Sequence, residues 1–118
     1  MARILAIDDS GSMRMLVKTA LGEVGHQVEV AEDGAAGLAL AEGSKFDLII
    51  TDLNMPKMNG LEFLKAFRVK NRFTPVLVLT TEANAALKEN AKAAGATGWI
   101  VKPFQVEPFR ATVSKVLR

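Results

Sequence analysis

The sequence contains no cysteine. That absence excludes disulfides, thiolate metal sites and thiol nucleophiles, and it suits a reducing compartment. No apolar stretch approaches the roughly 20 residues that a membrane span needs. The apolar start of the chain ends at Asp8 and Asp9, too soon for a signal peptide. We therefore expect a cytoplasmic protein with no membrane span.

The chain also lacks a strong excess of charge of either sign. Its net charge is +2 and its pI is about 9.1, which does not favour a nucleic-acid partner. One local basic cluster is typical of a solvated helix end whose cations complement the helix dipole, with a docking patch as the alternative. It consists of Lys65, Arg68, Lys70 and Arg72.

The length and the hydrophobic content limit the number of domains. With 118 residues, 49% of them hydrophobic, the chain can bury one core, whereas two half-length domains would each be too small to be stable. We expect one domain over residues 1–118. Because the last helical pattern runs to the end of the sequence, we also expect no output domain and action through protein contacts. We further expect a monomer.

Short apolar runs alternate with helical patterns along the chain. Strands are predicted at 3–7, 27–31, 47–51, 75–79 and 98–101, and each is followed by a helical pattern. The second and fourth helices are predicted at 35–42 and 85–94, after a turn at Asp33-Gly34 and a loop at 80–84. Near-continuous apolar strands favour a parallel sheet covered on both faces. The predicted fold class is α/β, doubly wound.

Residues at the helix ends carry start and stop signals. Ser10 or Ser12 is suited to cap the first helix, Gly25 to end it, and Asn59 to cap the third. The buried face of the first helix is predicted to contain Met13, Leu16, Val17, Ala20, Leu21 and Val24.

Polar residues follow four of the predicted strands. Asp8 and Asp9 follow the first, Asp52 the third, Thr80 the fourth and Lys102 the fifth. In doubly wound sheets, ligands bind outside the carboxyl ends of the strands. The candidate functional residues should therefore meet at one edge of the sheet.

Three carboxylates at one edge need compensation. Two unit charges about 4 Å apart interact by roughly 4 kcal/mol at an effective dielectric near 20, so Asp8, Asp9 and Asp52 would repel one another strongly. Protonation and the Lys102 cation are two ways to offset this repulsion. A hard divalent ion is the better one, and Mg²⁺ fits because it keeps waters and leaves room for phosphate oxygens.

These motifs together resemble the response-regulator receiver domain. The matching residues are Asp8-Asp9, Asp52-Leu-Asn-Met-Pro56 with Gly60, Thr80 and Lys102-Pro103-Phe104. The resemblance spans the chain and is greatest to stand-alone chemotaxis regulators of the flagellar motor. It implies a (βα)5 fold with the flavodoxin-like strand order 2-1-3-4-5, which is known from a chemotaxis regulator. It also implies a cis bond before Pro103.

The resemblance further implies a phospho-acceptor regulator of a two-component system, not an enzyme. Asp52 would accept a phosphoryl group from a histidine kinase. Asp9 and Asp52 would ligate Mg²⁺ through carboxylates, Asn54 through its backbone carbonyl and Asp8 through water.

The same resemblance implies how the signal leaves the site. Lys102 would neutralise charge on the phosphoryl group, and Thr80 would hydrogen-bond it. Trp99, where chemotaxis members usually carry Tyr, would relay the change to the face of the fourth helix, fifth strand and fifth helix. Expected partners of this face are a flagellar motor switch protein or another target, with a phosphatase as a further partner. Thr81 and Glu82 border the site and are expected to tune hydrolysis.

Several alternatives stay open. The same site would serve a phosphate sink for a shared kinase, or a single-domain regulator outside chemotaxis. A small Mg²⁺-dependent phosphohydrolase of the haloacid dehalogenase type would need a second acid where Asn54 stands. A flavodoxin-like electron carrier would need a Ser/Thr-rich phosphate loop after the first strand, where Asp8 and Asp9 stand instead. A non-phosphorylated scaffold is the last alternative.

Overall fold

The computed structural model describes residues 1–81 and 84–118, and its strands form one parallel sheet. The strands are β1 (Arg3–Ile7), β2 (Gln27–Ala31), β3 (Leu48–Asp52), β4 (Val76–Thr80) and β5 (Gly98–Val101). Their order across the sheet is β2-β1-β3-β4-β5. The doubly wound fold and the strand order implied by the family resemblance are confirmed.

Helices cover both faces of this sheet. They are α1 (Gly11–Gly22), α2 (Gly34–Gly43), α3 (Gly60–Lys70), α4 (Ala85–Ala94) and α5 (Val106–Val116). Alternate residues of a strand point to opposite faces, so Ile4 belongs to a core cluster that includes residues of α1 and α5, whereas Leu5 belongs to a second cluster that includes residues of α3 and α4. This two-sided burial explains why β3 and β4 are buried along their whole length. Among the described residues, no helix is long and apolar enough to cross a membrane.

Most predicted bounds agree with the structure. The bounds of β1, β2, α4 and β5 are as predicted, and α2 is one residue longer at each end. β3 and β4 each begin and end one residue later than predicted. Pro75 has no N–H to donate to a strand ladder. At Asp47 the side chain, not the backbone carbonyl, accepts the Arg3 N–H. The shift makes Asp52 and Thr80 the last residues of their strands.

The predicted end of α1 is wrong. The helix ends at Gly22, and Gly25, with φ of 96°, closes the turn that follows. Val24 is therefore outside the helix and 50% exposed, and Leu16 is 39% exposed, so neither belongs to the buried face. At the other end of α1, Ser10 is the cap, because its hydroxyl accepts the N–H of Met13 at 3.2 Å.

Arg68 is not the solvated cation that the sequence predicted. Its Nε and Nη2 donate to the carbonyl of Gly95 at 3.1 and 2.9 Å, and its Nη1 donates to the carbonyl of Asn71 at 3.2 Å. Burial lowers the pKa of Arg68. Because Gly95 is the C-cap of α4, the guanidinium satisfies a carbonyl that the helix leaves without a partner. Arg68 therefore ties α3 to the end of α4.

The hydrogen bonds that cap the start of α3 lead to a first testable prediction. The Asn59 Oδ1 accepts the Glu62 N–H at 2.9 Å, and the Glu62 side chain accepts the Asn59 N–H at 2.9 Å. Asn59→Ala removes the acceptor and should lower the free energy of unfolding by about 1 kcal/mol in urea titrations. Asn59→Ser keeps a side-chain acceptor, and its loss of unfolding free energy should be less than half of the loss in Asn59→Ala. Equal losses in the two variants would show that the cap does not stabilise the protein.

Candidate functional site

The three predicted acidic residues meet at the carboxyl edge of the sheet. β1 and β3 are neighbours with Ile7 opposite Thr51, so Asp8 and Asp52 follow that pair on adjacent strands. One carboxylate oxygen from each of Asp8, Asp9 and Asp52 lies within 4.8 Å of the other two. Asp8 and Asp52 are 4% and 8% exposed, whereas Asp9 is exposed to solvent. The cluster is therefore buried on one side and open on the other.

Each buried carboxylate is oriented by a backbone N–H. The Asp8 Oδ1 accepts the Ser10 N–H at 2.9 Å, and the Asp52 Oδ1 accepts the Leu53 N–H at 2.8 Å. The second oxygen of each faces Lys102, whose Nζ lies 2.8 Å from Asp8 and 3.4 Å from Asp52. One ammonium thus bridges the two buried acids.

The backbone of Lys102 ties the ends of two more strands to the site. Its N–H donates to the carbonyl of Thr80 at 2.7 Å, and the Lys102–Pro103 peptide bond is cis, as the resemblance implied. Thr80 is fully buried at the end of β4. Asn54 lies two residues beyond Asp52 and is exposed. The structure therefore brings the predicted residues of four strand ends to one edge of the sheet.

Two further residues support the site without having been predicted as its members. The Arg14 Nη1 donates to the backbone carbonyl of Asp8 at 2.7 Å, which ties the first turn of α1 to the acidic edge. The first turn of α2 contacts the loop after Asp52, since the Gly34 N–H donates to the carbonyl of Met58 at 3.1 Å. Both contacts end on backbone atoms, which leave no motif in a sequence.

The electrostatics of the cluster favour a bound cation. Burial raises the pKa of Asp52, and Asp8 raises it further, while Lys102 and the Leu53 N–H lower it. Among the described residues, Lys102 is the cation whose side chain contacts these carboxylates. One ammonium cannot balance three carboxylates, and clustered carboxylate oxygens are the ligands that hard divalent ions prefer. The residues present therefore fit Mg²⁺ at this edge.

Trp99 lies apart from the acidic cluster. It lies in β5 opposite Val78 of β4 and packs half-buried against the core on the α4 side, where Ala91 lies. Its indole Nε1 is buried and has no hydrogen-bond partner in the described part of the chain. A cavity of about 320 Å³ opens beside it, lined in part by Lys88 and Val101.

Of the two residues predicted to tune hydrolysis, Thr81 is exposed, and Glu82 lies outside the described residues.

Comparisons with known proteins agree with this geometry. The profile of the response regulator receiver domain matches residues 4–114. The chemotaxis protein CheY of Pseudomonas aeruginosa is 35% identical over 117 residues, which cover 97% of this chain and 94% of that protein. The structure of the chemotaxis response regulator CheY4 of Vibrio cholerae matches with a TM-score of 0.94 and 49% identity over 98% of each chain.

A second similar structure contains a metal ion. The Thermotoga maritima response regulator TrrA, in complex with Mg²⁺ and BeF, matches with a TM-score of 0.90 and 31% identity over 98% of this chain and 99% of that one.

The raised pKa of Asp52 predicts a stability change with a definite sign. The folded state binds this proton more tightly than the unfolded chain, whose pKa is near the ordinary 3.8. The stability that the group supplies is therefore present below that value and is lost as the pH rises through the folded pKa. Asp52→Asn should thus be more stable than the unsubstituted protein at neutral pH in EDTA, and the gain should shrink as the pH approaches 3.8.

Urea unfolding over a pH series in EDTA measures this difference. Glu89→Gln removes an exposed carboxylate of α4 and should give no comparable gain. If Asp52→Asn were less stable than the unsubstituted protein at neutral pH, the charge of Asp52 would not be the cost that we assign to it.

Proposed function

This chain belongs to the response regulator receiver family, and from that membership we propose that it is a two-component switch that accepts a phosphoryl group on Asp52. One observation carries the proposal. The Asp52 carboxylate is buried at the end of a strand, beside two further acids and 3.4 Å from the Lys102 ammonium. This arrangement combines a nucleophile, a site for a cation and a group that can neutralise phosphate.

The proposed reaction is transfer from a phosphohistidine of a histidine kinase. An Asp52 carboxylate oxygen attacks the phosphorus atom and the P–N bond breaks. The electron pair of that bond goes to the imidazole nitrogen, and Asp52 becomes an acyl phosphate. Such transfer requires mainly positioning and charge neutralisation from the protein. The Leu53 N–H orients the carboxylate, and the Lys102 ammonium can neutralise a phosphoryl oxygen.

The acidic cluster is the proposed Mg²⁺ site. Asp9 and Asp52 would bind the ion through their carboxylates, Asn54 through its backbone carbonyl and Asp8 through a water molecule. The bound ion supplies positive charge that neutralises the transferring group. The cluster of oxygens within 4.8 Å supports this assignment. So does the Mg²⁺ in the complex of the similar Thermotoga maritima regulator.

The switch is proposed to act through Thr80 and Trp99. Phosphorylation adds about −1.5 to −2 charge and strong acceptor oxygens, which a nearby hydroxyl can meet. Thr80 is buried at the adjacent strand end, and its carbonyl already holds the Lys102 N–H. A buried indole N–H without a partner costs about 1–3 kcal/mol. The Trp99 N–H has no partner among the described residues, so a state in which it finds an acceptor would recover that cost. Phosphate then shifts an equilibrium between two arrangements.

Chemotaxis is the proposed setting, since the similar proteins of Pseudomonas aeruginosa and Vibrio cholerae are chemotaxis proteins. The proposed output surface is formed by α4, β5 and α5, where the cavity beside Trp99 opens between Lys88 and Val101. Its proposed partner is a flagellar motor switch protein. A phosphate sink would share the acidic site and is the alternative.

One domain over the whole chain is supported by the match to residues 4–114, while a monomeric state and a cytoplasmic location stay predictions.

Intact mass measurement tests the phospho-acceptor role. Incubation with acetyl phosphate and Mg²⁺ should give one phosphoryl adduct, which should be absent with EDTA or in Asp52→Asn. Lys102→Ala should reduce the rate of adduct formation at least tenfold, because one positioned charge contributes that much or more to transition-state stabilisation. An adduct that persists in Asp52→Asn would assign the phosphoryl group to another residue.

Trp99 is the single tryptophan of the chain, so its fluorescence reports the switch directly. Phosphodonor with Mg²⁺ should change its emission in the unsubstituted protein but not in Asp52→Asn. Thr80→Ala should still form the adduct by mass yet lose most of the emission change, because the hydroxyl that meets the phosphate is gone. A full emission change in Thr80→Ala would remove Thr80 from the proposed relay.

A further inference from the structure

The loop between β3 and α3, residues 53–59, contains Asn54 and is called here the metal loop. We propose that Gly34, in the first turn of α2, is a positioning residue for the divalent-cation site because it sets the place of the metal loop. The inference rests on the proposed function, since it requires that a cation bind at this edge of the sheet.

The metal loop contains a backbone conformation that needs outside support. Lys57 has φ of 68°, a value that side-chain-bearing residues rarely adopt. The Met58 N–H donates to the carbonyl of Pro56 at 2.7 Å, which closes a γ-turn around Lys57. Strained turns of this kind persist where the surrounding structure holds them in place.

Two contacts hold the turn from the side of α2. The Gly34 N–H donates to the carbonyl of Met58 at 3.1 Å, and the Lys57 Nζ lies 3.8 Å from the Asp33 carboxylate. The ion pair is long and the Lys57 side chain is 72% exposed, so it contributes little. The contact between Gly34 and Met58 is therefore the stronger of the two supports that α2 gives to the turn.

Gly34 leaves no room for a side chain at this contact. A Cβ atom on Gly34 would lie 2.2 Å from the carbonyl oxygen of Met58 and 2.9 Å from its carbonyl carbon. Both are backbone atoms, so the clash cannot be relieved by a change of rotamer. An alanine at position 34 would push the metal loop away from α2 while leaving the carboxylates of the site in place.

Displacement of the loop should affect the two common hard cations differently. The proposed ligand from this loop is the backbone carbonyl of Asn54, four residues before Met58 in the chain. Mg²⁺ demands near-ideal octahedral geometry at about 2.0–2.1 Å, whereas Ca²⁺ accepts flexible geometry and longer bonds. A misplaced carbonyl should therefore lower the affinity for Mg²⁺ more than the affinity for Ca²⁺. General disruption of the site would lower both affinities alike.

Calorimetric titration of Gly34→Ala with Mg²⁺ and with Ca²⁺ tests the inference. We expect the affinity for Mg²⁺ to fall about tenfold or more, which is usual when support around a metal ligand is lost, and the affinity for Ca²⁺ to fall less. The matched control is Gly43→Ala at the other end of α2, where an added Cβ meets nothing within 4 Å. This control should bind both ions as the unsubstituted protein does.

Hydrogen exchange of the unsubstituted protein provides a second measurement that does not depend on the folding of a variant. Because coupling is reciprocal, Mg²⁺ should slow exchange of the Gly34 N–H. The Ser44 N–H at the opposite end of α2, which donates to the carbonyl of Leu40 at 3.1 Å, should not change.

The outcomes separate this inference from the proposed function. An unchanged Mg²⁺ affinity in a folded Gly34→Ala, an equal loss for the two ions, or no effect of Mg²⁺ on the Gly34 N–H would each overturn the positioning role. Failure of the unsubstituted protein to bind Mg²⁺ would overturn the proposed function itself.

Discussion

The mutual repulsion of three carboxylates is the constraint around which the carboxyl edge of this sheet is organised. Asp8, Asp9 and Asp52 present oxygens within 4.8 Å of one another. At such distances the repulsion amounts to several kcal/mol even with a high effective dielectric. The fold offsets only part of it, through the Lys102 ammonium and two backbone N–H donors. The remaining imbalance is what suits the site to a cation and, in the proposed function, to a phosphoryl group.

Close backbone approach is the second requirement of this edge, and glycine meets it twice. A Cβ on Gly60 would lie 2.3 Å from the carbonyl oxygen of Asp52, and one on Gly34 would lie 2.2 Å from that of Met58. Neither glycine has the positive φ that commonly explains glycine in a loop. Their role is to let α3 and α2 begin directly against the segment from Asp52 to Met58.

Much of this arrangement could be predicted from the sequence, because strand ends are marked by local patterns. Apolar runs that stop at Asp8, Asp52 and Thr80 are visible without a structure, and the topology of a parallel sheet then places those ends together. The order of the strands came from the family resemblance, since periodicity contains no information about which strands are neighbours. Contacts between distant backbone atoms were missed for a related reason: the bond between Gly34 and Met58 leaves no pattern in either segment.

Lys102 connects charge at the site to the geometry of the sheet. Its ammonium bridges Asp8 and Asp52, and its backbone N–H holds the end of β4. In the proposed mechanism, a phosphoryl group on Asp52 competes with Asp8 for that ammonium. If the Lys102 ammonium left Asp8, neutralisation of the Asp8 carboxylate would depend more on the bound cation. Phosphorylation and metal binding should therefore strengthen each other. Because binding linkage is reciprocal, the ion that assists transfer would also favour the phosphorylated arrangement of Thr80 and the strand that contains Trp99.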